Sequence, residues 1–332
     1  MRNTREDGRG GGGRETISTA AVAPQEAFDM WEAVISDGMT SCSMQPISAG
    51  PFHAALTPLV YSDPIALATA RNAAELARRT ARHIARSDRS SVVAVMPLVG
   101  GCEVEIDRQR LSAPAGSMYI IDDDHPQLLQ TDGFTALMVR ADRDLVLAAS
   151  GLGADRFPTA VVLDPGGPGA LVLDFFHRLA AGPIPEPAAP ALLRAGIELL
   201  GAGMALGSGG RPSEPAALTV EHERVMAFVN HHLTDPELDV ETIARGCGMS
   251  RRRVHRLLAE PWGGPMKLVR QLRIQRARAL LVDHPDQTVA SIAHACGFGG
   301  DRNFFRVFRA ETGMSPAEFR ERALAAERSG TG

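Results

Sequence analysis

Residues 240–258, VETIARGCGMSRRRVHRLL, and residues 289–308, VASIAHACGFGGDRNFFRVF, are two copies of one pattern. Val240, Ile243, Ala244 and Cys247 recur at i, i+3, i+4 and i+7, and so do Val289, Ile292, Ala293 and Cys296. That spacing is one face of an α-helix. A glycine follows each run, Gly248 and Gly297, 49 residues apart. Glycine takes the positive φ that ends a helix at little cost. A second apolar run then begins, Val254, Leu257 and Leu258 in one copy and Phe304, Val307 and Phe308 in the other. Each copy is therefore expected to form a helix, a short turn and a second helix, which is the layout of a helix-turn-helix.

Between the copies, Pro265–Leu281 predicts one long helix with Leu268, Leu272, Ala279 and Leu280 as its apolar stripe. Arg270, Arg273, Arg276 and Arg278 decorate it. Beyond the second copy, Ser315-Pro316-Ala317-Glu318 sets Ser at the N-cap, Pro at N1 and Glu at N3. That is a capping box and starts a final helix. Many helical domains contain such turns, so charge placement carries the functional signal. Arg251, Arg252, Arg253 and Arg256 fall on the second helix of the first copy, and Arg302, Asn303, Arg306 and Arg309 on that of the second. Guanidinium groups on such helices chelate guanine O6/N7 or clamp phosphates. The competing reading, a solvated basic face, is weakened by the tandem repetition.

The chain has 332 residues, enough for two compact domains with tails. Its net charge of −4 argues at first against nucleic acid. The distribution reverses that inference. Residues 1–217 carry 18 Lys/Arg and 25 Asp/Glu, whereas 218–332 carry 17 and 14. Within 245–278 there are ten basic residues against one acid, Glu260. No apolar run reaches the length of a membrane span, and the charged, Gly-rich start lacks the apolar core of a secretory signal. Cys42, Cys102, Cys247 and Cys296 stand far apart. Neither a disulfide framework nor a zinc module is expected, and a reducing cytoplasm is.

The front half reads differently. Residues 1–24 are expected to be a disordered tail, and 207–217, GSGGRPSEPAA, a linker. The Ala- and Arg-rich stretch 64–86 fits a helix or disguised strands. From 91 onward, short β-type runs (91–96, 102–106, 118–121, 127–129, 134–139) alternate with turns. They predict a small antiparallel barrel or sandwich. Helices are expected at 170–180 and 191–206, on either side of a break at Pro183, Pro185, Pro187 and Pro190. The fold class is thus two-domain α+β: a barrel domain over 25–206 and an all-α domain over 218–325. No nucleophile elbow, phosphate loop or dinucleotide fingerprint is present. His53, His83, His125 and His177 are scattered, and Asp122-Asp123-Asp124 reads as a solvated turn. No catalytic residue, metal or cofactor is therefore expected. Any pocket would be lined from Val92–Met96, Tyr119 and Phe134–Val139.

The C-terminal region resembles the AraC/XylS family of bacterial transcription regulators. The likeness rests on IAHACGFGGDRNFFRVFRAETGMSPAEFR at 292–320, and on IARGCGMSRRRVHRLL at 243–258 with LRIQRARALL at 272–281. It departs at Gly263-Gly264-Pro265, one residue short of the usual pattern, so the first unit is expected to enter its connecting helix with altered geometry. The resemblance implies base-reading positions at Arg252, His255 and Arg256 and at Asp301, Arg302, Asn303 and Arg306, with Arg251 on phosphate. The two units would enter successive major grooves of double-stranded promoter DNA about 34 Å apart. More loosely, Ala81-Arg82-His83-Ile84, the strands from 91, and Leu111–Asp122 with its Pro114-Ala115-Gly116 look like a cupin-like sensor domain. Tyr119 stands where a metal cupin has histidine. The resemblance implies a cytoplasmic, nucleoid-associated activator, not an enzyme. Its implied partners are DNA, a second copy of itself, RNA polymerase and a small-molecule effector, with no membrane. The alternatives are a cupin-type small-molecule enzyme with an appended DNA-binding tail, which bound metal would reveal, and a non-specific architectural DNA protein.

Overall fold

The computed structural model describes residues 16–47, 50–62, 64–181, 189–260 and 262–330. The chain divides into two compact units between Val220 and Glu221.

The front unit is built on one antiparallel sheet. In chain order its elements are β1 (Ile17–Ser18), α1 (Ala27–Gly38), β2 (Ser43–Pro46), β3 (Ala54–Ser62), β4 (Ile65–Arg79), α2 (Ala81–Arg86), β5 (Ser91–Val99), β6 (Gly101–Ile106), β7 (Gln109–Pro114), β8 (Met118–Asp122), β9 (Gln127–Asp142), α3 (Arg143–Ser150), β10 (Ala160–Leu163), α4 (Ala170–Ala181) and α5 (Ala189–Gly207). Among the described residues the strand order is β1-β3-β4-β9-β5-β8-β10, with β2 on β4 and β6 between β7 and β9. The long strands β4 and β9 pair from Ile65↔Ala141 to Arg79↔Gln127. The first part of β9 pairs with β6 and the rest with β5, so one pair of strands serves both ends of the sheet.

Side chains alternate between two cores. Val92, Ala94 and Met96 of β5 pack with Leu137, Val139, Val172, Phe176, Leu199 and Leu200, under α4 and α5. Val93 and Val95 face the other way, toward Tyr119, Ile121, Met138 and the α1 residues Trp31 and Ile35. A strand covered on both faces reads as an unbroken apolar run, which is why 91–96 lacks alternation. The same burial explains α5. That helix is long and apolar enough by composition to cross a membrane, yet Ile197, Leu199, Leu200 and Met204 lie in the first core.

Three expectations change here. The tail does not extend to residue 24. Ile17 and Ser18 pair with Leu56 and Ala55, and buried Thr19 donates its hydroxyl to Ala54 O at 3.2 Å while accepting from Ala54 N at 2.9 Å. Residues 1–15, and the proline run at 183–187, lie outside the described residues. The Ala-rich stretch is strand over 65–79, because it lies between β3 or β2 on one side and β9 on the other, and sheet pairing overrides the helix preference of alanine. Finally, the break after α5 spans only 208–213. Helix α6 (Glu214–His231) begins inside the Gly/Ser/Pro stretch, with Ser213 Oγ accepting from Ala216 N.

The second unit is helical: the remainder of α6, α7 (Val240–Gly246), α8 (Arg251–Leu257), α9 (Pro265–Asp283), α10 (Val289–Ala295), α11 (Asp301–Thr312) and α12 (Pro316–Gly330). Two small cores divide it. Ile243, Ala244, Cys247, Val254 and Leu258 pack with Leu268 and Val269 of α9. Ile292, Ala293, Cys296, Phe304, Val307 and Phe308 pack with Ile274, Ala277 and Leu281 of the same helix. The buried stripe of α9 therefore differs from the expected one: Ala279 is exposed and Leu272 and Leu280 are half-buried. The expected capping box forms, since Glu318 N donates to Ser315 Oγ at 3.3 Å and Ser315 N to Glu318 Oε2 at 2.7 Å.

The glycines that end α7 and α10 both have positive φ, +64° at Gly248 and +78° at Gly297. Their surroundings differ. A Cβ on Gly248 meets open space, whereas one on Gly297 would stand 2.7 Å from Leu233 O and 2.8 Å from the Thr234 carbonyl carbon. Gly248→Ala should cost about 1 kcal/mol, the left-handed penalty alone. Gly297→Ala should cost about 2–4 kcal/mol, because backbone must move as well. Urea denaturation of the two variants measures the difference, and equal midpoints would remove the close approach as a constraint.

Candidate nucleic-acid interface and sensor cavity

The second helix of each copy is positioned by the first helix of that copy. Asp239 caps α7, accepting from Thr242 N at 2.8 Å, and that bond holds its carboxyl below the usual range. Gly248 turns the chain, and Ser250 caps α8 by accepting from Arg253 N at 3.2 Å. Val254 and Leu258 then anchor α8 in the core. Arg251, Arg252, His255 and Arg256 remain exposed on the opposite side. Arg251 Nε lies 3.4 Å from Glu241 Oε2. Arg253 is drawn aside, its Nε donating to Glu221 Oε2 at 2.6 Å. It braces α8 against α6 instead of facing outward.

The second copy repeats this plan with one more residue in its turn. Thr288 caps α10 by accepting from Ser291 N at 3.1 Å. Gly300 precedes α11 without a side-chain cap. Phe304, Val307 and Phe308 are buried, and Asp301, Arg302, Asn303 and Arg306 are exposed. Arg306 Nη2 donates to Asn303 Oδ1 at 2.9 Å. With Val254 aligned on Phe304 and Leu258 on Phe308, Arg252 and Arg302 take one angular position and Arg256 and Arg306 another. All eight sequence-selected residues thus stand on the exposed faces of α8 and α11. Phe305, 43% exposed beside Arg306, was not selected. Its position matches that of His255.

The long helix uses its arginines structurally. Arg273 is buried, its Nε donating to Leu233 O at 2.9 Å and its Nη2 to Asp235 O at 2.5 Å. Arg278 lies over the Phe319 ring at 5.2 Å, and Arg270 Nε donates to Met266 O at 3.1 Å. The departure at Gly263-Gly264 appears as a short α8 of 7 residues, against 12 in α11, followed by two positive-φ glycines.

In the front unit a cavity of about 60 Å³ lies between α1 and the inner face of the sheet. Val93, Val95, Tyr119, Phe134 and Met138 line it, whereas Val92, Ala94, Met96, Leu137 and Val139 face the helices. Half of each expected lining strand is therefore correct, as period two requires. The polar lining was not anticipated. Trp31 Nε1 donates to Glu75 Oε2 at 2.9 Å, and burial pushes the Glu75 carboxyl up to about 8. Asn72 Oδ1 is buried with no hydrogen-bond partner among the described residues. A buried acceptor left without a donor costs about 1–3 kcal/mol. Nothing in the spacing of Asn72 and Glu75 could have flagged them, since both sit in the stretch whose secondary structure was undecided.

The acidic triplet is a second correction. Asp122 and Asp123 are 1% and 2% exposed and not solvated. Arg143 Nε donates to Asp122 Oδ2 at 2.9 Å. Arg79 Nε lies 3.3 Å from Asp123 Oδ1, and Thr40 and Gln127 donate to the same carboxylate at 2.8 Å. Burial, the largest influence, still pushes Asp123 up to about 6. Among the described residues, no group of three or more His, Cys, Asp or Glu is placed to hold a metal ion.

A family model described as an AraC-binding-like domain matches residues 31–204, more than half of the chain. A model described as a helix-turn-helix domain matches 224–322. The HTH-type transcriptional activator RhaS of Enterobacter sp. (strain 638) is 37% identical over 99 residues, covering 30% of this chain and 35% of that protein. RhaS of Salmonella schwarzengrund is 35% identical over the same length. The chain thus spans about a third of the length of the relatives it matches. The AraC-like transcriptional activator CuxR has the same two-part fold, with a TM-score of 0.50 at 20% identity over 81% of this chain and 96% of that one.

The buried acids make the front unit pH-sensitive. The Glu75 carboxyl rises from 4.5 to about 8 on folding, so the folded chain keeps a proton that the unfolded chain releases in between. Stability from this group is full below about pH 4.5 and is lost as pH rises through about 8. Asp123 acts in the same direction between 3.8 and about 6. The urea midpoint of the front unit should therefore fall from about pH 5 to 8, and Glu75→Gln should flatten the upper part of that fall. An unchanged slope in the variant would show that Glu75 ionises freely in the folded chain.

Proposed function

The chain belongs to the AraC family of transcription regulators, and from that premise we propose that it is a sequence-specific DNA-binding regulator, an activator rather than an enzyme. The observation that carries the reading is the matched register of α8 and α11. Two helices, each seated by the glycine turn of its own copy, present arginines at the same angular positions on their exposed faces. That arrangement fits two consecutive major-groove contacts on double-stranded promoter DNA. Arg252, His255, Arg256, Asp301, Arg302, Asn303 and Arg306 would read base edges, and Arg251 would hold phosphate.

On this reading, the front unit, up to Val220, senses a small molecule, and the unit from Glu221 onward engages DNA. The effector's place is the cavity lined by Trp31, Tyr119 and Phe134, and it works by binding two states of the protein with different affinity. A second copy of the chain and RNA polymerase complete the proposed set of partners, and the cytoplasm is the proposed compartment.

Sites selected from random DNA by the purified chain provide the test. Arg306→Ala should cost about 1–3 kcal/mol on the selected site and much less on random DNA at the same salt. Arg253→Ala, which loses the ion pair to Glu221, should lower stability without changing which sequence is selected. Equal affinity of the wild-type chain for selected and random DNA would refute the proposal.

A further inference from the structure

Two buried side chains with acceptor oxygens, Asn72 and Glu75, help to line the cavity of the front unit. Glu75 is 4% exposed and Asn72 5%, and both line it. The Asn72 Nδ2 donates to Ala73 O at 3.1 Å, which fixes the orientation of the amide. Its Oδ1 is the orphan. The other buried charge on the wall, Arg79, is already matched, since it pairs with Asp123 behind the wall and donates to Ser41 O at 2.5 Å. Thr40 and Gln127, which also line it, donate to Asp123, and most of the rest is apolar or aromatic, including Trp31, Tyr119 and Phe134. A volume of about 60 Å³ holds roughly four to six water positions, or a ligand of about five heavy atoms.

We propose that this cavity binds a small primary ammonium, whose N–H groups are shared between Asn72 Oδ1 and the Glu75 carboxylate while its alkyl part lies against the aromatic rings. The inference rests on the reading of the front unit as a sensor. The chemistry is selective for each part of the ligand. A carboxylate ligand is acceptor-only and has no N–H or O–H for Asn72 Oδ1. A quaternary ammonium has no N–H for Asn72. An alcohol offers one donor and no charge. An ammonium fills both acceptors, and its charge favours the ionised form of Glu75. The aromatic walls add attraction between cation and ring.

The test is calorimetric titration of the full chain with n-butylammonium, butan-1-ol, butyrate and tetramethylammonium. Saturable one-to-one binding of n-butylammonium is expected, at least tenfold tighter than that of butan-1-ol, with no binding of butyrate or tetramethylammonium. Glu75→Gln and Asn72→Ala should each weaken n-butylammonium at least tenfold, in variants whose circular dichroism matches wild type. If a variant does not fold, the four ligands on the wild-type chain decide alone. Equal binding of butan-1-ol or butyrate, or no binding of n-butylammonium, overturns the proposal. Sequence-specific DNA binding is measured on the same wild-type sample. No ammonium binding with intact DNA selectivity sinks only the ligand assignment. Ammonium binding without DNA selectivity supports the site and sinks the regulator reading.

Discussion

One buried guanidinium fixes how the two helix-turn-helix copies stand to each other. Arg273 lies midway along α9, where the helix leaves the first core and enters the second. It bonds the Leu233 and Asp235 carbonyls after α6, and its guanidinium is 6.0 Å from the ring of Phe298 in the turn of the second copy. Gly297, the neighbour of Phe298, lacks a side chain where that same Leu233–Thr234 backbone passes. Desolvation lowers the Arg273 pKa, but arginine remains charged in proteins, so the carbonyls must replace its lost water. A leucine there would leave the Leu233 carbonyl without its donor and the Asp235 carbonyl with Leu238 N alone. The register of α11 relative to α8 therefore depends on a polar contact inside an apolar junction.

The front unit uses buried charge in the same way, and the exception there is informative. Arg79 with Asp123 and Arg143 with Asp122 tie the turn between β8 and β9 to β4 and α3. Each carboxylate has a guanidinium and further donors, so each ion is compensated where it is buried. Glu75 has Trp31 and the Asn72 amide but no cation. Burial acts on it almost unopposed, which is why its carboxyl rises further than that of Asp123. The contrast separates carboxylates that hold the fold from the one that faces space.

The C-terminal fold was legible because its signals are local. Helical apolar periodicity, a terminating glycine and the capping box at Ser315 each act within a turn or two of chain. The front half was legible only where strands alternate or run apolar. Its Ala-rich strand β4 carries a helix-like composition, and only the pairing with β9, about 60 residues away in sequence, decides it. Asp122 and Asp123 looked solvated because their partners, Arg143 and Arg79, lie about 20 and 44 residues off. The start of α6 was a missed local signal: Ser213-Glu214-Pro215 is a cap followed by an early proline, read instead as linker composition. The exposed readers on α8 and α11 follow from periodicity, since burying one face exposes the other. Arg253 does not, because its partner Glu221 is on α6.

The two recognition helices share a register but not a character. Helix α8 is capped by Ser250, carries Arg251, Arg252, His255 and Arg256, and ends after 7 residues. Helix α11 has no side-chain cap at Gly300, runs 12 residues, and closes on Gly313, whose N–H donates to Arg309 O at 2.9 Å. Its exposed face is chemically mixed: an acid at Asp301, an amide at Asn303, an aromatic at Phe305 and guanidinium groups at Arg302 and Arg306. Dense like charge favours phosphate, which every sequence offers equally, whereas a mixed set of donors, acceptors and apolar surface discriminates among base pairs. On the proposed reading, α8 then supplies more of the affinity and α11 more of the sequence preference. The whole-chain charge of −4 bears on neither, since the acidic excess lies in the front half.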